Sequence, residues 1–356
     1  MTVLRARLPE GPLDIVGDIH GELEALDRLL KRLGCDPERG EVERPLVFVG
    51  DLVDRGPDSP GVVRRVRSLV EAGVAHVVAG NHELNLVLFD AKEGNGWFLG
   101  HADGYHHAGG TRAFESAPID PAERDELLAF LGDLPLVLER EDLRVVHASW
   151  DAESLDRLPV TGDVPALAEA ARRSVGDALR DRGLLQRALA ERAAYADLRD
   201  PTVRPQRPLP ATVEVTLCEQ RLNPYKVLTS GQEEVIPDDE DLFYVGGKWR
   251  VVRRARWWDR YDDDAAVVVG HYWRTRVGVT VPGKRDVFDG LHPFAWAGPR
   301  GRVFCVDYSV GRRFVERWRE PGRSRFDGAL AALRWPERVL VFDDHDEPVP
   351  TTGFMD

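Results

Sequence analysis

The sequence predicts an α/β fold with a mixed sheet core, and two patterns support this prediction. Short apolar runs rich in β-branched residues recur along the chain, as expected for buried strands. Helical patterns separate the first three runs, so strand and helix alternate, which is typical of layered α/β folds. The apolar runs cover residues 13–16, 46–49, 74–79, 143–146, 265–269, 303–306 and 339–342.

The first two helical patterns cover residues 22–33 and 60–72, and each places its apolar residues on one face. Spacings of three and four residues are those of an amphipathic helix. The first face is Leu23, Leu26, Leu29, Leu30 and Leu33, and the second is Val62, Val63, Val66 and Leu69.

A third helix is predicted to start at residues 120–123. Asp120 can cap it, Pro121 suits its first position and Glu123 completes a capping box, while Pro135 ends it. Residues 164–198 are rich in Ala, Arg and Leu, so we expect a helical insertion within residues 151–200 that covers the functional site.

The remaining segments complete the predicted organisation. Residues 201–210 contain four prolines and are expected to form an extended connector, and residues 212–217 favour a strand. Residues 300–356 are expected to be β-rich. We predict that residues 1–356 form a single domain.

Composition limits the classes of function. The chain has 356 residues, of which 43% are hydrophobic, enough for a full core. Its formal net charge of −13 argues against a general nucleic-acid binder. Arginine clusters can still form local pockets for phosphate groups.

The cysteines and the apolar runs predict a cytoplasmic protein. Cys35, Cys218 and Cys305 form no CxxC pair, which fits a reducing compartment. No apolar run approaches the roughly 18 residues of a membrane span, so we predict neither membrane insertion nor export.

Polar side chains follow five of the predicted strands. The carboxyl ends of strands in open α/β sheets gather functional groups, so we expect these side chains to converge. Asp18 and His20, which follow the first predicted strand, are two residues apart and therefore lie on the same side of an extended chain. In chain order the candidates are Asp18, His20, Asp51, Asn81, His147 and His271.

This mixture of donors predicts a metal site. Imidazole suits first-row transition metals, so the set favours manganese, iron or zinc over calcium. The number of donors suggests two ions, with Asp51 as the bridge. Ions about 3.5 to 4 Å apart can polarise a shared water and hold phosphoryl oxygens.

The blocks GDIHGE, GDLVDRG, GNHE and GHYW, together with a lone His147, resemble the calcineurin-like metallophosphoesterases. The likeness is to the branch of the phosphoprotein phosphatases and diadenosine tetraphosphate hydrolases. The matching blocks span residues 17–83, and the later histidines extend the match to residue 271. The resemblance implies a metal-dependent phosphatase with a four-layer α/β/β/α sandwich, mixed sheets and a helical insertion.

Carried over by position, the resemblance implies two metal sites. Asp18, His20 and Asp51 would hold one ion. Asp51 would also help to hold the other ion, together with Asn81, His147 and His271. The expected metal is Mn²⁺, with Fe or Zn as alternatives. A metal-bridging hydroxide would attack phosphorus in line.

The resemblance also assigns catalytic roles. Arg55 would bind phosphate oxygens, His82 would protonate the leaving oxygen and Asp54 would hold the His82 ring. A second phosphate-binding arginine is expected, with Arg256 and Arg260 as the first candidates and Arg112 and Arg274 as alternatives.

One residue departs from the pattern of many relatives. These relatives carry a second histidine in a GHxH motif, where this chain has Trp273. The departure resembles the phosphoprotein phosphatase branch. It leaves the first metal site with fewer protein ligands.

Simpler structural interpretations exist for two of these residues. Arg55 could pair with Asp58 to stabilise a turn, and His82 could cap the helix that follows Asn81. We favour the functional interpretation because the donors follow five separate strands.

Three functions remain open, of which the first is the main expectation and the third a remote alternative. The first is hydrolysis of a phosphomonoester, such as phosphoserine or phosphothreonine in a protein. The second is hydrolysis of a dinucleoside polyphosphate or another nucleotide phosphoanhydride, which Gly109-Gly110-Thr111 faintly supports, although Ala108 departs from the expected Asn. The third is a metal-binding scaffold without catalysis, against which the intact His82, Asp54 and Arg55 argue.

Overall fold

Two mixed β-sheets packed face to face form the centre of the molecule. The computed structural model describes residues 1–37, 39–107, 110–195, 198–205, 209–238, 240–245, 248–276 and 286–355. The strands are β1 (Thr2–Val3), β2 (Arg5–Arg7), β3 (Leu13–Val16), β4 (Leu46–Phe48), β5 (Ala75–Val77), β6 (Gly104–His107), β7 (Gly110–Ala113), β8 (Val137–Glu139), β9 (Leu143–Val146), β10 (Thr161–Gly162), β11 (Glu233–Val235), β12 (Phe243–Val245), β13 (Lys248–Arg250), β14 (Val252–Arg254), β15 (Ala266–Val269), β16 (Val303–Cys305), β17 (Ala331–Trp335), β18 (Val339–Phe342) and β19 (His345–Pro350). The helices are α1 (Leu23–Arg32), α2 (Ser59–Glu71), α3 (Asn81–Val87), α4 (Gly96–Leu99), α5 (Arg124–Gly132), α6 (Ala152–Arg157), α7 (Val164–Asp181), α8 (Leu184–Tyr195), α9 (Pro210–Arg221), α10 (Pro224–Ser230) and α11 (Arg313–Arg319).

Each sheet contains three neighbouring parallel strands. The first sheet has the order β19-β18-β17-β3-β4-β5, with β3, β4 and β5 parallel. The second has the order β16-β15-β9-β8-β2, with β16, β15 and β9 parallel. The remaining neighbours of these strands, β17 and β8, run antiparallel to them, so both sheets are mixed.

Alternation along the strands builds four layers. Ile15 and Val47 from the first sheet form one buried cluster with Val145 and Val268 from the second. The next residues along these strands point the opposite way and cluster with helix residues, as Val16 does with Leu26 of α1. The predicted α/β/β/α sandwich with mixed sheets is therefore confirmed.

Local sequence signals position the helices beside the first sheet. The Asp58 side chain caps α2 by accepting a hydrogen bond from the Gly61 amide at 2.7 Å, and Pro60 occupies its first turn. The Asp58 side chain therefore serves as a helix cap. It is the expected partner of Arg55 in the simpler interpretation, and Arg55 contacts other residues.

The predicted strand at residues 212–217 is wrong, because these residues lie within α9. Pro210 starts the helix, and Glu191 of α8 accepts the amides of Ala211 and Thr212, both at 2.8 Å. Val215 packs in the cluster between α7, α8 and α9. Tertiary packing and amide capping override the β propensity of the valines and threonines.

The predicted start of the third helix also needs correction. The helix α5 begins at Arg124, and residues 120–123 form turns in front of it. Asp120 accepts a hydrogen bond from the Ala122 amide at 2.9 Å, so its carboxylate closes a local turn instead of capping the helix. As predicted, the helix ends before Pro135.

Several organisational predictions stay predictions. Helices α7 and α8 lie in the expected insertion, but its role as a cover and the single-domain boundaries are not settled by these elements. Ala108 and Gly109 lie outside the described residues, as does part of the proline-rich connector. No helix among the described residues is long and apolar enough to cross a bilayer.

The core between the sheets gives a stability prediction. Ile15 is fully buried there, so Ile15→Ala should lower the free energy of unfolding by about 2–5 kcal/mol, since it removes packed methyl groups and leaves a cavity. Urea unfolding measures the change. Val160→Ala, at a side chain that is 63% exposed, should change it by no more than about 0.5 kcal/mol. Equal effects in both variants would contradict the described core.

Candidate metal centre

The six predicted metal ligands follow the ends of five parallel strands. Asp18 and His20 follow β3, Asp51 follows β4 and Asn81 follows β5 at the start of α3. His147 and His271 follow β9 and β15 of the other sheet. The two sheets therefore contribute to one cluster, as the strand-end pattern predicts.

Asp51 occupies the middle of this cluster. Its Oδ2 is 3.7 Å from Nε2 of His20, and its Oδ1 is 3.3 Å from Nε2 of His147. Oδ2 of Asp18 lies 3.9 Å from the same His20 nitrogen. Asp51 therefore has one oxygen facing each donor set and would be placed to hold both ions.

The Asn81 amide faces His271. In one orientation its Oδ1 lies 2.9 Å from Nδ1 of His271, so both atoms could ligate one ion. In the reversed orientation the amide nitrogen donates to that ring nitrogen and to the Thr229 carbonyl at 3.1 Å. A bound cation would favour the first orientation, because it directs the amide oxygen to the ion.

Two groups of donor atoms stand out among the described residues. Asp51, His147 and His271 form one group, and His20, Asp51 and His82 form the other, with the donor atoms of each within 4.8 Å of one another. In the second group His82 appears where the resemblance implies Asp18. Nδ1 of His82 is bound to Asp54 at 2.6 Å, a contact that would suit a ligand as well as a proton donor, so the role of proton donor is the one implied by the resemblance.

The backbone around these ligands is strained and is held by the buried Glu83. Asp51 has a φ of 51°, in the left-handed region that non-glycine residues seldom adopt. The Glu83 carboxylate accepts the amides of Asp51, Leu52 and Gly80, each at 2.8 Å. Glu83 therefore fixes the ligand turns after β4 and β5 to each other.

The burial and crowding of the carboxylates favour binding of a cation in this cluster. Burial and the neighbouring Asp307 carboxylate raise the pKa of Asp18 well above its usual value. Burial alone would raise the pKa of Asp51, but His147 and His82 outweigh burial and hold that pKa well below its usual value. Crowded buried carboxylates of this kind favour a positive charge between them.

The imidazoles complete the donor set. Burial and Arg55 lower the pKa of His20, and burial and Arg254 lower the pKa of His271, so both rings are neutral and keep a lone pair. Burial would also lower the pKa of His147, but Asp51 outweighs it and raises that pKa to about 10, so this ring would have to release a proton when a metal ion binds. These carboxylate, amide and imidazole donors fit two divalent transition-metal ions.

His82 belongs to a buried hydrogen-bonded chain that sequence reasoning only partly predicts. Its Nδ1 lies 2.6 Å from Asp54, which also accepts from Asn95 at 2.9 Å and from the Trp97 indole at 2.6 Å. Three partners fix the Asp54 carboxylate, and the carboxylate fixes the ring. Nε2 of His82 therefore points at the cluster, 3.8 Å from Oδ2 of Asp51.

Arg55 lies over the cluster. One guanidinium nitrogen contacts Nε2 of His20, and the other is 3.0 Å from Nε2 of His82. The guanidinium stacks on the Trp273 ring at 4.7 Å. Trp273 thus supports Arg55 at the position where many relatives carry a histidine.

Arg256 and Arg260, the first candidates for the second phosphate contact, share their groove with Arg254, which the sequence did not select. Arg254 donates to the His271 carbonyl at 3.5 Å, beside the cluster. Arg256 pairs with Asp259 at 3.1 Å, and Arg260 donates to Gln232 at 2.9 Å. All three line one groove with Arg55, His82 and His271.

The two alternative arginines have structural contacts. Arg274 is buried and donates to backbone carbonyls, including that of Ala295 at 2.5 Å. Arg112 lies over the Trp318 ring at 5.0 Å. Neither arginine lines the groove beside the cluster.

Sequence reasoning missed three kinds of residue here. Asp307 follows β16 and accepts the Trp273 amide at 2.8 Å; the strand-end rule that selected the other donors would have found it. Arg254 is at the end of β14, and no motif marks it. Asn95 and Trp97 reach Asp54 only through the folded loop, so the sequence carries no signal for that contact.

Comparisons with known proteins find similarity to phosphoesterases. Residues 11–157 match the sequence model of the calcineurin-like phosphoesterases. The chain is similar to two proteins named asymmetrical bis(5'-nucleosyl)-tetraphosphatase PrpE. That of Oceanobacillus iheyensis is 46% identical over 20% of this chain and 30% of the relative, and that of Bacillus velezensis is 32% identical over 40% and 59%.

Other similarities are broader or more remote. The symmetrical bis(5'-nucleosyl)-tetraphosphatase of Methylococcus capsulatus is 36% identical over 39% of this chain and 45% of the relative. The chain thus spans less than two thirds of these curated relatives. The solved structure of a cold-active protein-tyrosine phosphatase of a psychrophilic Shewanella aligns with 98% of this chain and 82% of that one, at 15% identity and a TM-score of 0.45.

The contacts of Glu83 give a prediction. Glu83→Gln should lower the free energy of unfolding by about 1–3 kcal/mol, because the amide offers one acceptor oxygen where three buried amides need partners. Metal content after purification should fall as well, since the two ligand turns lose their link. Glu24→Gln, at an exposed carboxylate, is the control. Unchanged stability and metal content in Glu83→Gln would refute the bracing role.

Proposed function

Because residues 11–157 match the sequence model of the calcineurin-like phosphoesterases, we propose that the chain is a metal-dependent hydrolase of phosphoester or phosphoanhydride bonds. The proposal rests on one observation. The donor cluster lies beside a proton donor, His82, whose ring is held in a fixed orientation. Asp51 is central to the cluster, and the His82 ring is held by Asp54 at its edge. A scaffold that only bound metal would not need the acid and its partner.

The proposed ligands are those implied by the resemblance. Asp18, His20 and Asp51 would hold one divalent ion, and Asp51, Asn81, His147 and His271 the other, with Mn²⁺ expected and Fe or Zn as alternatives. When bound, such ions supply Lewis acidity and a water nucleophile at neutral pH.

The protein's own groups would orient the phosphate and move one proton. Arg55 and Arg254 flank the cluster and would bind phosphoryl oxygens by charge-assisted hydrogen bonds. Asp54 accepts the Nδ1 proton of His82. Nε2, which accepts from Arg55 in this structure, would carry a second proton once Arg55 binds the phosphate, and that proton would pass to the leaving oxygen. Neutralising that oxygen as its bond to phosphorus breaks is the step we assign to His82.

Among substrates we favour a dinucleoside polyphosphate or a related phosphoanhydride over a phosphoprotein. The similar proteins from Oceanobacillus, Bacillus and Methylococcus are all named as bis(5'-nucleosyl)-tetraphosphatases. The groove beside the cluster has a volume of about 2450 Å³, more than the roughly 300–1,000 Å³ of a typical small-ligand pocket. An extended substrate would fill it better than a single phosphoryl group.

His82 provides the main test of the mechanism. His82→Asn should lower kcat by about 10²–10⁴, the usual contribution of a general acid, while the metal content stays at the wild-type level. Turnover of diadenosine tetraphosphate with added Mn²⁺ and elemental analysis measure the two quantities. Full activity in this variant would mean that the proton comes from elsewhere.

A substrate panel separates the open functions. Wild-type protein should hydrolyse dinucleoside polyphosphates with a higher kcat/KM than phosphopeptides or p-nitrophenyl phosphate. Preference for phosphopeptides would restore the phosphoprotein alternative. Absence of turnover with every substrate and every divalent metal would leave the metal-binding scaffold as the remaining function.

The second phosphate contact is tested by comparing arginines. Arg254→Gln should lower kcat/KM by about tenfold or more, because a charge-assisted contact beside the cluster is lost. Arg256→Gln and Arg260→Gln should have smaller effects, since both side chains already have protein partners. The reverse order would favour the residues selected from sequence.

A further inference from the structure

Four cations line the groove beside the donor cluster. Arg254 contacts the His271 carbonyl, and Arg250 and Lys248 lie on β13, the strand that precedes β14 in the chain. Lys226 of α10 lines the same groove. We call Lys226, Lys248, Arg250 and Arg254 the basic line.

These cations are close enough to influence one another. Burial in the groove lowers the pKa of Lys248, and Arg250 and Lys226 lower it further, although Glu233 and Glu219 oppose the change. Burial also lowers the pKa of Arg250; Glu233 opposes this shift, and Arg254 adds to it. In both groups, burial and the neighbouring cations outweigh the nearby acids in setting the direction of the pKa shift.

A neighbouring arginine in this groove is neutralised by acidic side chains. Arg253, next to Arg254 on β14, forms ion pairs with Glu234, at 2.8 Å, and with Glu240. Within the described ranges, by contrast, neither Lys226 nor Lys248 forms an ion pair. Cations gathered in a partly desolvated groove without such partners are suited to bind an anion.

We propose that the basic line is a subsite for the distal phosphates of a polyphosphate chain whose reacting phosphorus lies at the donor cluster. The proposal rests on the proposed function, since it assumes that hydrolysis occurs beside His271. A phosphomonoester has no further phosphate to place on Lys248 and Lys226. The line would therefore select substrates by the length of their phosphate chain.

The double variant Lys226→Gln/Lys248→Gln tests this subsite, because both side chains lie at the groove surface and their loss should leave the core intact. The probe is inorganic tripolyphosphate, with orthophosphate as its short counterpart. Calorimetry on the metal-loaded protein measures both dissociation constants. The matched control is Arg253→Gln, a groove cation that acids already neutralise.

In the double variant the dissociation constant for tripolyphosphate should rise by about tenfold or more, while that for orthophosphate changes by less than about twofold. The control should bind both as the wild type does. Equal weakening of both anions, no weakening, or an equal effect in the control would overturn the subsite. So would a selective loss of phosphopeptide turnover with unchanged tripolyphosphate binding.

The binding assay also separates this inference from the proposed function. If the wild type cleaves p-nitrophenyl phosphate but no polyphosphate, the proposed substrate class fails whatever the double variant does. If the wild type cleaves dinucleoside polyphosphates and the double variant binds tripolyphosphate normally, only the basic line fails. Thermal unfolding of each variant verifies that the fold is retained.

Discussion

The Glu83 carboxylate is the contact on which the candidate site depends most. Its two oxygens accept three backbone amides from the turns after β4 and β5, and those turns carry Asp51 and Asn81. Asp51 and its neighbours Asp54 and Arg55 have left-handed backbones, each of which costs about 1–3 kcal/mol unless its surroundings enforce it. Glu83 holds the Asp51 backbone directly, and the Ser59 hydroxyl holds the Asp54 backbone by accepting its amide at 2.8 Å.

Close packing around the ligands explains why glycines surround them. A side chain at Gly80 would bring its Cβ within 2.2 Å of Oδ1 of Asp51, and one at Gly270 would approach Oδ1 of Asp18 to 2.0 Å. A Cβ at Gly311 would lie 2.5 Å from Cδ2 of the His20 ring. The donors are therefore fixed by close backbone contact on several sides, so the cluster can be formed in advance of ligand binding.

Much of this arrangement could be predicted from sequence, because strand periodicity and strand-end polarity are local signals. They predict the core strands and the layers, and they select donors such as His20 and His147. The strand expected at residues 212–217 failed because the contact of Glu191 with the start of α9 is tertiary. Arg254 and Trp97 were missed for the same reason, since only the folded chain brings them to the cluster and to Asp54.

The position of β17 in the first sheet has a consequence for biosynthesis. This strand, from the last thirty or so residues of the described chain, pairs with β3, which carries Asp18 at its end. While the ribosome is still making the middle of the protein, β3 has an open edge that can pair with another nascent chain. The segment 11–157 contains β3 and β9 but neither β17 nor β15, so we expect it to need a chaperone and not to fold when expressed alone.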